Sequence, residues 1–81
     1  MVDLKDAVQN AITYLQDLPG VGAIRSPVLE EVELTDDERH WMITLSYYED
    51  ALFGGMQRKY KIFKVEVATG RVVAMKIRSA K

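Results

Sequence analysis

The chain has 81 residues, 48% of them hydrophobic, with 11 Lys or Arg against 12 Asp or Glu and no cysteine. That length allows one domain, residues 1–81, with one small core, and the lack of cysteine excludes a disulfide staple or a thiolate metal site. A net charge of -1 speaks against a uniformly basic surface of the kind that holds nucleic acid.

The charge is unevenly spread along the chain. Residues 1–40 carry nine acids and three Lys or Arg, whereas residues 41–81 carry three acids and eight Lys or Arg. No apolar run approaches the ~20 residues that span a bilayer. Asp3, Lys5, Asp6 and Asp17 interrupt the first segment, which therefore lacks the basic start and continuous apolar stretch of a signal peptide. Membrane insertion is not expected, and the expected location is cytoplasmic, unless a leader has been removed.

Residues 3–17 are expected to be helical, because Leu4, Val8, Ala11, Ile12, Leu15 and Leu18 recur at three- and four-residue spacing. Asp3 is placed to cap the free N–H groups of the first turn, and Asp6 favours the same positive end. Pro19-Gly20 stops the helix, Gly22 prolongs an irregular segment and Ser26-Pro27 closes it.

Four strands are expected to follow. The first is residues 28–34, VLEEVEL, with Val32 and Leu34 inward and Glu31 and Glu33 outward, although its alternation is imperfect. A polar turn, residues 35–39, leads to HWMITLSYY, where Trp41, Ile43, Leu45 and Tyr47 share the core face and Met42, Thr44, Ser46 and Tyr48 the other. Residues 49–57 suggest a looser connection around Gly54-Gly55, with Leu52 and Phe53 folding back on the core. Strands at 58–67 and 71–78 complete the sheet. The expected fold is α+β: one N-terminal helix on one face of a four-stranded antiparallel sheet, in the order α-β-β-β-β.

The register of the last hairpin follows from its apolar residues. Keeping Phe63, Val65 and Val67 on the face of Val73, Met75 and Ile77 requires a three-residue loop, Ala68-Thr69-Gly70. It pairs Val67 with Arg71, Val65 with Val73 and Phe63 with Met75, and gives Gly70 the left-handed position.

Signatures of catalysis or ligation are not found. His40 stands alone beside Asp36, Asp37 and Glu38, without HExxH or CxxC spacing, and the three acids are too closely spaced for a calcium loop. Gly20 and Gly22 follow a helix rather than a strand, the reverse of a phosphate-binding loop. Ser26, Ser46 and Ser79 have no nucleophile-turn context. The expectation is a protein without catalytic residues, cofactor or metal.

Two surfaces remain. A single helix covers one sheet face only, so a mixed second face is left for protein recognition or self-association; its residues are Met42, Tyr48, Tyr60, Ile62, Val72, Ala74, Lys76 and Arg78. The alternative is nucleic-acid binding through residues 58–64, where Arg58, Lys59, Lys61 and Lys64 surround Tyr60 and Phe63 as an anion-binding patch. Alternation divides that patch, sending Lys59 and Lys61 to the side of Phe63.

The layout, and above all the segment Tyr60 to Val73 with Thr69-Gly70 at its centre, resembles the PepSY-type small α+β domain. This chain has Val67-Ala68 where that family often has an aspartate before the turn. The resemblance implies a non-catalytic module of a kind sometimes proposed to regulate peptidases, with no catalytic residue to carry over. The function expected is thus a protein-binding or regulatory module acting through an exposed sheet face or edge, as a homodimer in one form.

Overall fold

A computed structural model describes residues 2–18, 24–51 and 55–78. The helix α1 runs Leu4–Gln16, started by Asp3, whose carboxylate accepts the Asp6 N–H at 2.9 Å. Its buried line is Ala7, Ala11 and Leu15, flanked by the partly buried Val8, Ile12 and Leu18. Two alanines on the contact line bring the helix axis close to the sheet, since they add no side chain beyond Cβ to the interface. Asp17 ends the helix, donating its N–H to Thr13 and Leu15 carbonyls. The expected stop at Pro19-Gly20, with Gly22 beyond it, lies outside the described residues, as does Ser79.

The strands are β1 (Ile24–Leu34), β2 (His40–Ala51), β3 (Gly55–Glu66) and β4 (Val72–Arg78). They pair as an antiparallel meander in the order β1-β2-β3-β4, with α1 on one face. That is the α-β-β-β-β arrangement read from the sequence. Ile43, Leu45 and Tyr47 of β2 and Phe63 and Val65 of β3 form the centre of the core against Ala7, Ala11 and Leu15. Each large side chain so buried contributes about 1.5–3 kcal/mol. Tyr14 meets Phe63 edge-on, with ring centroids 6.2 Å apart. Trp41 packs at the rim of this core, and its buried indole Nε1 has no hydrogen-bond partner among the described residues.

Several boundaries differ from the sequence reading. β1 begins four residues earlier, at Ile24, and takes in Ser26-Pro27 as a register irregularity between Arg25 and Val28, with Ser26 at φ 51°. An edge strand tolerates this, because proline's missing N–H faces away from the ladder. The β2–β3 ribbon is also longer. Glu49 pairs with Gln57, Asp50 with Met56 and Ala51 with Gly55, so only residues 52–54 separate the strands. Backbone ladder bonds override the weak strand propensity of these polar and glycine residues. Leu52, Phe53 and Gly54, expected to cover the core and turn the chain, lie outside the described residues.

The β3–β4 hairpin keeps Phe63 opposite Met75 but sets Val65 opposite Val72, not Val73. Val67 has left the ladder: its N–H donates to Arg39 O and its carbonyl accepts from Val2 N–H, both at 2.9 Å. The loop therefore spans four residues, closed by Gly70 N–H to Glu66 O at 2.7 Å and Glu66 N–H to Arg71 O at 2.8 Å. The added loop residue is compensated by a bulge in β4, where Val73 is the unpaired extra residue. Val72 consequently packs on the core while Val73 is 41% exposed, and Ile77, expected inside, is 81% exposed.

Gly70 does hold the last loop position, at φ 78°. Its carbonyl accepts from Asn10 Nδ2 at 2.9 Å, which fastens α1 to the turn. A Cβ there would lie 2.8 Å from Asn10 Nδ2 and 2.9 Å from Val2 Cγ2. Gly70→Ala is expected to destabilise by about 1–3 kcal/mol from left-handed strain and crowding, and Asn10→Ala by about 1 kcal/mol. In denaturant titrations the double variant should cost less than the sum, because removing the amide relieves part of the clash.

Candidate protein-interaction face

The face away from α1 is set by alternation from the core residues. Following the ladder from β1 to β4, its rows are Glu33, Met42, Lys64, Ala74; then Glu31, Thr44, Ile62, Lys76; then Val28, Ser46, Tyr60, Arg78; then Arg25, Tyr48, Arg58. Met42, Tyr48, Tyr60, Ile62, Ala74 and Lys76 of the expected interaction residues thus share it, with Arg78 at the register position opposite Tyr60. Val72 does not. The β4 bulge turns it to the helix side, where it packs on the core.

Thr44 and Ser46 are 2% and 1% exposed although no described element lies over this face. Longer neighbours wall them in. A second irregularity in β1, between Leu29 and Glu31, makes Glu30 the extra residue of a bulge. Its carboxylate Oε2 accepts from Ser46 Oγ and from Arg58 Nη2, both at 2.5 Å. Arg58 Nη2 also donates to Ser46 Oγ at 3.0 Å, and Nη1 to the Tyr48 hydroxyl at 3.3 Å. The guanidinium carbon lies 5.5 Å from the centroid of the Tyr48 ring and 5.5 Å from that of Tyr60. Hydrogen bonding to Glu30 first, and to Tyr48 second, holds the Arg58 cation above its already high range of ionisation.

These five side chains form a cross-strand lattice over β1, β2 and β3. Arg58 is charge-paired and positioned by three partners, and the tyrosines present broad, stiff rings beside it. Tyr and Arg are the residue types that dominate binding energy at protein interfaces. The signal that could have pointed to Glu30 is the broken alternation of VLEEVEL, since two successive glutamates on one face require a bulge.

The alternative anion patch is divided by the sheet. Arg58 and Lys64 lie on the open face, whereas Lys59 and Lys61 pair with Tyr47 and Leu45 on the helix side. Arg58 is moreover ion-paired with Glu30. At the opposite end of the ladder His40 pairs with Glu66 across β2 and β3, beside an open concavity of about 500 Å³ that Glu38, Arg39, Val67 and Ala68 also line. Among the described residues no three His, Cys, Asp or Glu converge on a possible metal position. No helix among them is long and apolar enough to cross a membrane.

The acidic turn has an internal purpose. Asp37 accepts from the Thr35 hydroxyl at 2.6 Å and from Arg39 N–H at 3.0 Å, which together hold its carboxyl below the ordinary aspartate range. A carboxylate with a lowered folded-state pKa stabilises above its unfolded value, and the gain disappears as pH falls through the folded one. Asp37→Ala should therefore lower the urea midpoint at neutral pH and much less in acid below the aspartate range. Arg58→Ala should lower the melting temperature and speed amide hydrogen exchange in β1 around Val28. Arg58→Lys should restore this only in part, because one ammonium cannot meet three partners and two rings together.

Neither a protein-family model, nor a curated protein, nor a solved structure matches this chain.

Proposed function

We propose that this protein is a non-catalytic protein-binding module, working through the sheet face opposite α1. The observation that carries the reading is the lattice of Glu30, Ser46, Tyr48, Arg58 and Tyr60 on a face that α1 leaves uncovered. Met42, Ile62 and Ala74 beside it are half-buried and apolar. Ring planes and a guanidinium already ordered within the chain lose little side-chain freedom on binding, so more of the contact energy appears as affinity.

The face is better suited than the edges. β1 is interrupted by two register shifts and Pro27, and β4 by the bulge at Val73, and both irregularities and proline discourage strand addition. Nucleic-acid binding through residues 58–64 has weaker support, because its cations point to two faces. The likeness of the Tyr60–Val73 hairpin to PepSY-type modules agrees with a non-catalytic role, regulation of a peptidase included.

The test is a titration of isotopically labelled protein with unlabelled protein and with extract of the host cell, followed by NMR. Broadening or shifts are expected at Met42, Tyr48, Tyr60 and Ile62, and Ile62→Lys should abolish them while leaving the spectrum folded. Changes confined to the helix side, or none in either titration, would overturn the reading.

A further inference from the structure

Charge on the open face is sorted by strand. The row through Glu31, Thr44, Ile62 and Lys76 runs from acid on β1, through a hydroxyl and an apolar side chain, to a cation on β4. The neighbouring row runs Glu33, Met42, Lys64, Ala74, again with the acid on β1 and the cation on the β3–β4 side. Whole strands repeat the pattern: β1 contains three glutamates and one arginine, whereas β4 contains Lys76 and Arg78 and no acid. The half-buried Met42 and Ile62 occupy the strip between the two flanks.

A surface with acid on one flank, cations on the other and an apolar strip between complements itself under a specific rotation. A two-fold axis running along the strands, between β2 and β3, lays β1 of a second copy over β4 of the first. Glu31 of each copy then lies over Lys76 of the other, twice by symmetry, and Glu33 lies over Ala74 in the row that also holds Lys64. A two-fold axis running across the strands would instead reverse the rows: Glu33 would meet Arg25 on β1, but Lys76 would meet the Arg78 position on β4 and Lys64 would meet Arg58 on β3, and such like-charge juxtapositions are costly. The favoured rotation keeps the strands of both copies near alignment, as in packed sheets about 10 Å apart. Strand spacing and rise give the face roughly 650 Å² in projection, comparable to the about 800 Å² per partner of a standard stable interface.

We propose that the open face binds a second copy of this chain, face to face, about a two-fold axis parallel to the strands. This rests on reading that face as the protein-binding surface, and adds the partner and its orientation.

The experiment is sedimentation of the full chain into the high micromolar range, for the wild type, Glu31→Lys/Glu33→Lys, Lys64→Glu/Lys76→Glu, and an equal mixture of the two variants. Circular dichroism checks that each is folded. The wild type is expected to dimerise, with added salt weakening the dimer. Each swapped variant alone should dimerise at least about tenfold more weakly, since the groups at positions 31 and 76 that meet across the axis then carry one sign, and the mixture should recover wild-type affinity as a heterodimer. A dimer that both swapped variants retain, or a mixture of folded variants that fails to reassociate, overturns the two-fold arrangement. If Ile62→Lys still dissociates that dimer, the face reading stands and only the orientation fails. A wild type that stays monomeric overturns self-association. Extract-induced NMR changes on the face would then assign it to a different protein, and no change there would overturn both proposals.

Discussion

One helix has to serve a sheet with two faces, and the rest of the molecule follows from that. Ala7 and Ala11 let α1 settle closely on Ile43, Leu45, Phe63 and Val65, and a helix of 13 residues has then used its apolar line on one side. Its position is fixed at the turn end of the sheet, where Val2 N–H bonds to Val67 O and Asn10 to Gly70 O. In the same stretch Val67 bonds to Arg39 and Val2 rather than to β4, the loop spans four residues, and the bulge in β4 sets where Val72 and Val73 point.

Among the described residues no element covers the opposite face. Its side chains cover one another: Glu30 and Arg58 over Ser46, and Arg58 against two tyrosine rings. The arrangement hides small hydroxyls at the bottom and offers aromatic and guanidinium planes at the top. Backbone irregularity makes it possible, because only a bulge allows Glu30 and Glu31 to serve the same side of an edge strand. The same irregularities blunt the edges, so the features that discourage strand addition also build the face that we propose for recognition.

Much of the architecture was legible in the sequence. Three- and four-residue spacing locates α1, and period-two alternation locates the core faces of β2 and β3, because each pattern reflects a local geometry. Asp3 and Gly70 were readable for similar reasons: a helix start needs an acceptor, and a tight loop needs a residue free to adopt positive φ. Less was legible of the site. Tyr48, Tyr60, Ile62 and Met42 follow from alternation, but Glu30 and Arg58 come together only across three strands, and a one-residue shift moves Val72 to the other face. Ala7 gave no strong signal either, since an alanine identifies a close helix–sheet contact only once the sheet is in place.

Residue order alone thus determined the elements, their succession and which side of each central strand meets the helix, since these depend on spacing within a single segment. Tertiary structure decided the length of the β2–β3 ribbon, the three register irregularities and the Glu30–Arg58 lattice. These arise where segments far apart in the chain compete for the same hydrogen bonds and the same space: Val67 bonding to Arg39 and Val2 instead of pairing with β4, and Glu30 reaching Ser46 and Arg58 across the strands. No periodicity within one segment encodes such a competition.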